Sequence, residues 1–349
     1  MAAKKHKTAT HSPARVTDVA RQAGVSRTAV SYVLNEHGQR NKHVSEETRA
    51  KVLQAVQELQ FRPDTLARTL SKGYSQELVL ISDTPLDFFL VEMFNSLQRQ
   101  AHNYGYTLVT YFSHGFSNEE VKSLYQTIFD RRPIGIIASS FNFTAENVAL
   151  AREMGIKHII FIGFHPQPIE QTYTITFPSQ ALGYLAAQHL LARGHRHLAL
   201  IRPDDPVQEK GFLLRLEGMY AAIAEQPEIR LDILPLHLSA ASARSLVETS
   251  FMDAYRPTGI YGFGDQYAVI LLSALIRCGI QVPQEVALVG SANLPLGELV
   301  WPSLTTMSFD AIDMGKRAAE MFHALHQGLP LSEELIRPLA PQLIQREST

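Results

Sequence analysis

The chain has 349 residues, of which 45% are hydrophobic and 19% are charged, a composition typical of soluble globular proteins. No apolar run reaches the ~20 residues of a membrane-spanning helix, and the basic start lacks the apolar stretch of ~7–15 residues of a secretory signal. The length predicts two or three domains. The single cysteine, Cys278, cannot form an intrachain disulfide, so we expect the protein to lie in the reducing cytoplasm.

Charge is distributed unevenly along the chain. Residues 1–73 contain 13 basic and 6 acidic residues, a net charge of +7, whereas the remainder contains 19 basic and 28 acidic residues, a net charge of −9. A small basic region on an acidic body suggests that only this region meets a polyanion. A solvated basic tail would explain the charge alone equally well.

The segment from Arg15 to Asn35 predicts two short helices joined by a turn. Thr17 is a candidate N-cap, Gly24 supplies a left-handed turn residue, and Ser26 is predicted to cap the second helix. The outward face of that helix carries Arg27, Thr28, Ser31, Tyr32 and Asn35. This pattern is typical of a helix-turn-helix, which places its second helix in the DNA major groove, although an ordinary helical hairpin has it too.

A third and a fourth helix are predicted next. Ser45 begins the third helix, and its apolar face, Val52, Ala55, Val56 and Leu59, completes a three-helix core. The fourth, within FRPDTLARTLSKG, begins near Pro63 and ends at Gly73. It has too few apolar groups to be stable alone, so we expect it to gain partners from a twin chain and from DNA.

After Gly73, short apolar runs alternate with amphipathic helices. The predicted strands are ELVLIS, YTLVTYF, GIIASS, HIIFIG, HLALI, LDILPLHL, GIYGFG and EVALVG. This alternation predicts an α/β fold with parallel sheets and helices on both faces. The segment is too long for one sheet, so we expect two similar lobes, with a ligand beyond the carboxyl ends of the strands.

Signatures of catalysis are missing from the sequence. It contains no G-x-S-x-G, G-x-x-x-x-G-K-[ST] or H-E-x-x-H motif. GFGD at 262–265 lacks the third glycine of a dinucleotide loop, and we expect Asp265 to cap a helix there. His195 and His197 lack Cys, Asp or Glu at ligand spacing, so we expect no enzyme activity, no cofactor and no metal.

Several segments together resemble the LacI/GalR family of repressors. TDVARQAGVS-RTAVSYVLN, VSEETRAKVLQAVQEL and FRPDTLARTL resemble its DNA-binding head, and GHRHLALI, RLEGM, VPQEVALVG and PSLTTM resemble its effector domain. The likeness covers residues 16 to about 346. It implies a disordered tail at 1–14, a helix-turn-helix domain at 15–62, a hinge helix at 63–74, and a periplasmic-binding-protein-like body at 75–349. The two lobes would comprise approximately 75–175 plus 305–330, and 176–304 plus 331–349.

The resemblance also implies which residues contact DNA. Arg27 and Thr28 occupy base-reading positions, and Leu70 matches the leucine that paired hinge helices insert into the minor groove. Tyr32 stands where many relatives carry arginine. The implied contact residues are Thr17, Ser26, Arg27, Thr28, Ser31, Tyr32, Asn35, His43, Ala67, Arg68 and Leu70.

Effector contacts are implied in the same way. Arg215, in RLEGM, matches the family arginine that grips the polar part of the ligand. The other candidates, at strand–helix junctions and in the loop before PSLTT, are Phe88, Phe89, Asp265 and Trp301. Core packing would explain the aromatic residues equally well, and Arg215 could instead pair with Glu217 or Asp205.

Two acidic positions of the family are not acidic here. Ala292 in VGSAN and Gly163 in FIGFH stand where relatives carry aspartates that accept hydroxyl bonds from the ligand. We therefore hypothesise that the effector is anionic, a sugar phosphate or an organic acid, rather than a simple sugar. The alternative is a weakened pocket.

These inferences together predict a cytoplasmic, sequence-specific transcriptional repressor. It would bind a near-palindromic operator as a homodimer, because the segment PLAPQLIQREST lacks the heptads of tetrameric relatives. A small molecule between the lobes would modulate operator affinity. The alternatives are a cytoplasmic solute-binding receptor and an α/β enzyme, neither of which would bind DNA.

Overall fold

The computed structural model describes residues 14–34, 44–61, 75, 77–84, 88–140, 142–163 and 169–349. The chain divides into two compact units, Met1–Ser75 and Gln76–Thr349. The described part of the first unit contains α1 (Val16–Ala23), α2 (Arg27–Leu34) and α3 (Glu46–Glu58). No helix of the described residues is both long and apolar enough to span a membrane.

Local hydrogen bonds define the ends of the first two helices. The backbone N–H of Arg15 donates to the Asp18 carboxylate at 2.9 Å, so α1 begins after Arg15. Thr17 lies inside the first turn, and the prediction that it caps the helix is wrong because Arg15 occupies the cap position. Gly24, at φ 66°, ends α1, and Ser26 accepts from the N–H of Ala29 at 3.1 Å. The predicted turn and second cap are confirmed.

The three helices enclose a small apolar core. It is formed by Val19, Ala20, Ala23, Val30, Val33, Val52, Ala55 and Phe61. Ser45 caps α3 by accepting from the N–H of Thr48 at 3.2 Å, as predicted. Phe61, which the sequence analysis did not assign to the core, is held there by a bond from its N–H to the Val56 carbonyl at 2.9 Å.

The second unit alternates helices and strands. Its helices are α4 (Phe88–Asn103), α5 (Asn118–Asp130), α6 (Ala145–Glu153), α7 (Ser179–Ala192), α8 (Glu209–Ile223), α9 (Ala240–Ser250), α10 (Asp265–Arg277), α11 (Leu296–Leu299), α12 (Ala311–His326) and α13 (Glu333–Ile336). Its strands are β1 (Glu77–Ser82), β2 (Thr107–Phe112), β3 (Gly135–Ser139), β4 (His158–Gly163), β5 (Tyr173–Thr176), β6 (His197–Pro203), β7 (Arg230–Leu236), β8 (Gly259–Tyr261), β9 (Ala287–Ser291), β10 (Thr305–Ser308) and β11 (Gln342–Ile344).

These strands form two sheets. The first has the order β2-β1-β3-β4-β5 and the second the order β11-β10-β9-β8-β6-β7. Neighbouring strands are parallel except for the antiparallel pair β10 and β11. Strands β1 and β4 are buried on both faces, which explains their unbroken apolar runs. The predicted fold class, parallel sheets in two lobes, is confirmed.

The chain passes repeatedly between the first lobe, built on β1–β5, and the second lobe, built on β6–β11. It enters the second lobe after β5, returns with α12, which packs against α4, and crosses again to β11. Strand β10 pairs with β9, so the return to the first lobe comes after β10 and not at residue 305, where we expected it. The reason is that β9 offers Thr305–Ser308 a parallel partner, which extends the second sheet by one strand.

Candidate functional site

The second unit contains a cavity of about 190 Å³ lined by both lobes. Its walls come largely from residues that follow the carboxyl ends of parallel strands, where ligands bind in open α/β sheets. These residues include Thr84 after β1, Ser140 after β3, Gly264 after β8 and Ala292 after β9. Three of the predicted effector contacts, Phe89, Arg215 and Asp265, line it as well.

Arg215 projects from α8 and is 7% exposed. Its Nη1 donates to the carbonyl of Phe263 at 2.6 Å, and its guanidinium carbon lies 4.0 Å from the centre of the Phe263 ring. The Nε atom has no hydrogen-bond acceptor among the described residues. The alternative pairing with Glu217 or Asp205 is wrong: Asp205 accepts instead from the N–H of Val207 at 3.0 Å, capping the 3₁₀ turn at Pro206–Gln208.

Asp265 is 1% exposed at the start of α10. It does not cap that helix as predicted, because Gly264 occupies the cap position and the carboxylate bonds elsewhere. Its Oδ1 accepts from the hydroxyl of Thr306 and its Oδ2 from the N–H of Leu294, both at 2.6 Å. Burial raises the pKa of Asp265. The carboxylate therefore braces the loop after β9.

Three phenylalanines meet in the cavity wall. Phe89 of α4 contacts Phe309 with ring centres 4.7 Å apart and Phe177 with ring centres 5.9 Å apart, and Phe177 and Phe309 lie 5.7 Å apart. Phe177 lies directly after β5 and Phe309 directly after β10, on the first two segments that cross between the lobes. A change in the angle between the lobes would therefore change the packing of this aromatic cluster.

Two predicted effector residues lie outside the cavity lining. Phe88 is 62% exposed and Trp301 is 78% exposed, and neither lines the cavity. Phe88 and Phe89 are consecutive residues of α4, whose side chains diverge by about 100° around the helix axis, so only Phe89 faces the cavity. Trp301 follows α11 at a point where the loop presents its side chain outward.

Backbone strain also marks the cavity. Phe263 has φ 58° and Ala292 has φ 105°, and both line it. Residues other than glycine rarely adopt these values, and they cluster at ligand sites when they do. The strain at Phe263 places its carbonyl against Arg215.

The two positions that lack the family's aspartates both line the cavity. Ala292 and Gly163 belong to its walls, while Asn293 turns away to accept from Nη2 of Arg346 at 2.8 Å. Among the described residues of the lining, Arg215 and Asp265 are the charged ones. Tyr267 adds a phenol, which is a hydrogen-bond donor at neutral pH, and burial raises its pKa to about 12.

Sequence reasoning missed several lining residues. Phe161, Phe177, Phe309 and Ser291 all line the cavity. Phe161 and Ser291 belong to β4 and β9, and the position of a residue at the carboxyl end of a strand is the signal that would have found them. No such signal marks Phe177 or Phe309, because their strands are short and were not predicted.

The candidate DNA-contact residues among the described part of the first unit are mostly exposed. Thr17, Ser26, Arg27, Thr28 and Ser31 are exposed, and Tyr32 is half-buried. The inward residues Val30 and Val33 are buried, so the predicted orientation of α2 is confirmed. Asn35, His43, Ala67, Arg68 and Leu70 lie outside the described residues.

The two histidines of the GHRHLALI segment have partners within the second lobe. His195 Nδ1 lies 3.0 Å from the hydroxyl of Thr258, and His197 Nε2 lies 2.7 Å from Asp232 Oδ2 on β7. No cluster of three metal-ligating side chains occurs in the part of the chain that the structure describes.

Two family models match the chain. Residues 15–64 match the bacterial regulatory proteins of the lacI family, and residues 187–349 match a periplasmic binding protein-like domain. The HTH-type transcriptional repressor PurR of Vibrio parahaemolyticus is 29% identical over 311 residues, 88% of this chain and 90% of that protein. PurR of Edwardsiella ictaluri is 27% identical over 312 residues, 88% of this chain and 89% of the relative. These relatives are transcriptional repressors, not enzymes.

Solved structures share the fold. The lac repressor dimer bound to operator and the anti-inducer ONPF aligns with a TM-score of 0.78 at 22% identity, over 97% of this chain and 99% of the other. The complex of the transcriptional regulator CelR with cellobiose aligns with a TM-score of 0.66 at 22% identity, over 96% of this chain and 100% of the other.

Proposed function

We propose that this chain is a regulator of the LacI family, whose model matches residues 15–64, and that it represses transcription by binding an operator sequence, with a small molecule controlling that binding. The observation that carries the proposal is the exposed polar face of α2 within the family-matching segment 15–64. The relatives of similar length are repressors. We place the protein in the cytoplasm, where its DNA target lies.

Arg27 and Thr28 are proposed to read bases in the major groove, and Ser31 to contact phosphate or a base edge. An arginine that bonds both acceptors of a guanine edge contributes about 1–3 kcal/mol of discrimination against other bases. Thr17, Ser26 and Tyr32 would flank these contacts. Outside the described residues, Asn35 and His43 are proposed to extend them, with Ala67, Arg68 and Leu70 in the minor groove.

The control site is proposed to be the cavity between the lobes. It is concave, mostly apolar and provided with a few polar groups, as small-molecule sites usually are. A ligand that binds one lobe arrangement more tightly than another shifts the equilibrium between them. Such coupling between a ligand site and a DNA site typically amounts to about 1–3 kcal/mol.

We further propose that the protein acts as a homodimer. Two heads related by a two-fold axis would read the half-sites of a near-palindromic operator. The second lobe exposes Leu296, Leu299 and Trp301 within one short stretch, at 41%, 81% and 78% of their surfaces. Large apolar side chains grouped in this way mark interaction surfaces.

The proposal is tested by selecting binding sites from random DNA with the full-length protein. We expect enrichment of one near-palindromic sequence, with affinity that falls steeply as salt rises. Arg27→Ala should relax the preference at one position of each half-site, at a cost of about 1–3 kcal/mol. Arg244→Ala, which changes an exposed arginine of the second unit paired with Glu248, should leave the selected sequence unchanged. Failure to enrich any sequence would refute sequence-specific binding.

A further inference from the structure

The cavity contains a buried cation, Arg215, that no carboxylate of the described residues pairs with. Arg215 is 7% exposed, one of its nitrogens donates to a backbone carbonyl, and its Nε has no acceptor among the described residues. An arginine side chain stays protonated in proteins even when it is buried. Because an unpaired buried charge is unfavourable, an anion bound beside Arg215 would stabilise the protein.

The cavity offers few charged acceptors to a ligand rich in hydroxyl groups. Asp265 is the one carboxylate among the described lining residues, and each of its oxygens already accepts a short bond from the protein. Ala292 and Gly163 bring no acceptor side chain to the cavity. A neutral sugar would therefore leave most of its hydroxyl groups without charged acceptors.

Most of the wall is apolar. Five phenylalanines line the cavity: Phe89, Phe161, Phe177, Phe263 and Phe309. The aliphatic residues Leu90, Ile162, Val207 and Leu294 line it as well. Aromatic edges and faces favour contact with another ring or with an alicyclic body. The wall and the cation together favour a ligand that is apolar over most of its surface and negatively charged at one end.

The volume of the cavity suits a ligand with one ring. Its volume is about 190 Å³, and an apolar cavity of about 150 Å³ in another protein holds benzene. A six-membered ring with one carboxylate fits this space. Arg215 is the one cation among the described lining residues, and a phosphate monoester would bring close to two negative charges against it.

We propose that the effector is a small monocarboxylate with an apolar ring. Its carboxylate binds the Arg215 guanidinium where that group lines the cavity, in the two-bond geometry that guanidinium and carboxylate groups favour. Its ring lies against Phe89, Phe177 and Phe309, the cluster that joins the two crossing segments. This inference rests on the proposed function, because it identifies the chemistry of the same control site.

The test is calorimetric titration of the full-length protein, without DNA, against a matched set of probes. Benzoate and cyclohexanecarboxylate supply the ring and the carboxylate, benzyl alcohol removes the charge, and glucose and inorganic phosphate remove the ring. We expect saturable binding of one or both acids at millimolar concentration or below, and none of the three controls to match them. Binding of glucose or benzyl alcohol as tight as that of the acids would overturn the proposal, and so would failure of both acids to bind.

Variants of Arg215 provide the second test. Arg215→Gln should weaken binding of the acid about 100-fold, and Arg215→Lys should also weaken it, because an ammonium lacks the planar pair of donors. The melting temperature of ligand-free Arg215→Gln should be unchanged or higher, since the substitution removes an unpaired buried charge. An arginine needed only for structure would give a lower melting temperature and unchanged binding by the folded fraction.

Arg202→Gln is the matched control. Arg202 also lies over a ring, 5.5 Å from the centre of Phe212, but it pairs with Glu209 at 2.9 Å and is exposed. Its substitution should leave acid binding unchanged. Operator binding is measured on the same samples: if it persists while the acids fail to bind, only the effector class is wrong. Loss of DNA recognition by the unmodified protein would instead count against the proposed function.

Discussion

Ala292 holds a backbone conformation that alanine rarely adopts. Its φ is 105° and it follows β9 in the cavity wall. A residue other than glycine held in such a region costs about 1–3 kcal/mol. We expect Ala292→Gly to raise the free energy of unfolding of the second unit by about 1 kcal/mol, measured by urea denaturation of the full-length protein.

The same substitution at Ala287 is the control. Ala287 begins β9 and is 1% exposed, and its φ is not positive. Ala287→Gly gives the unfolded chain more conformational freedom and removes a buried methyl group from the folded one. Together these effects should lower the free energy of unfolding of the second unit by about 1 kcal/mol or more. If Ala292→Gly destabilised as much as Ala287→Gly, Ala292 would not be strained.

For individual residues, the sequence predicted membership of the site only where the position of the residue on a helix or strand determines what surrounds that residue. Arg215 was implied by the family resemblance of the RLEGM segment, and Asp265 by its place at a strand–helix junction. Phe88 and Trp301 do not line the cavity because a junction places the backbone but does not set which way each side chain points. The strain at Phe263 and Ala292 depends on the folded loops and leaves no mark in the sequence.

Helices α7 and α8 touch backbone to backbone through two glycines. A Cβ atom built on Gly183 would lie 2.0 Å from the carbonyl oxygen of Arg215, and one built on Gly218 would lie 1.9 Å from that of Gln180. We expect Gly183→Ala to force the helices apart, destabilise the second unit by about 1–3 kcal/mol and displace Arg215 from the cavity. Thermal unfolding and titration with benzoate measure the two effects.

Gly297→Ala is the matched control in the same unit. A Cβ atom there would meet its nearest neighbour, Leu304, at 3.5 Å, which is an ordinary contact. The substitution lies in α11 and should be neutral or slightly stabilising, because alanine favours the helix. Equal loss of stability in the two variants would show that the close approach of α7 and α8 is unimportant.

Among the elements, long apolar runs were predicted well and short strands were not. The predicted boundaries of β1 and β4 agree with the structure, because both are buried on two faces and read as continuous apolar runs. Strands β5, β10 and β11 have three or four residues each and were missed. Such short strands form because a neighbouring strand supplies their hydrogen bonds. The local sequence does not identify that neighbouring strand.

At the scale of the whole molecule, stability should decrease in mild acid. Burial lowers the pKa of His158, His189 and His195, with smaller contributions from nearby cations. Below about pH 6.5, the usual pKa of histidine, the unfolded chain therefore binds more protons than the folded one, and the free energy of unfolding decreases as pH falls. Melting temperatures between about pH 7.5 and 5.5 measure this trend, which precedes the titration of most carboxylates.

His158→Phe should remove part of this acid sensitivity. The His158 ring lies edge-on to Phe322, with ring centres 6.1 Å apart, and near His326, so a phenyl ring keeps the packing without the titrating group. An unaltered slope in His158→Phe would exclude His158 as a contributor.

The two-lobed organisation followed from length and alternation, but the path between the lobes did not. Both expected lobes are present, whereas the point of return lies after β10 and not at residue 305. The crossing is decided by which sheet offers Thr305–Ser308 a partner, a contact between segments distant in sequence. Long-range pairing of this kind is the part of the architecture that a single sequence constrains least.

In the proposed dimer, the exposed surface at Leu296, Leu299 and Trp301 forms the interface between the two copies. Operator affinity should therefore depend on this surface of the second unit. A charged residue at the centre of a buried apolar interface loses its hydration without gaining a partner, so Trp301→Glu should favour the monomer. Since each monomer carries one head, loss of the dimer should weaken binding to a two-half-site operator far more than binding to a single half-site. Sedimentation velocity and gel shifts with both DNAs measure this.

Tyr255→Glu, at a side chain 83% exposed in the loop before β8, should leave the dimer intact. A dimeric Trp301→Glu protein with full operator affinity would place the interface elsewhere.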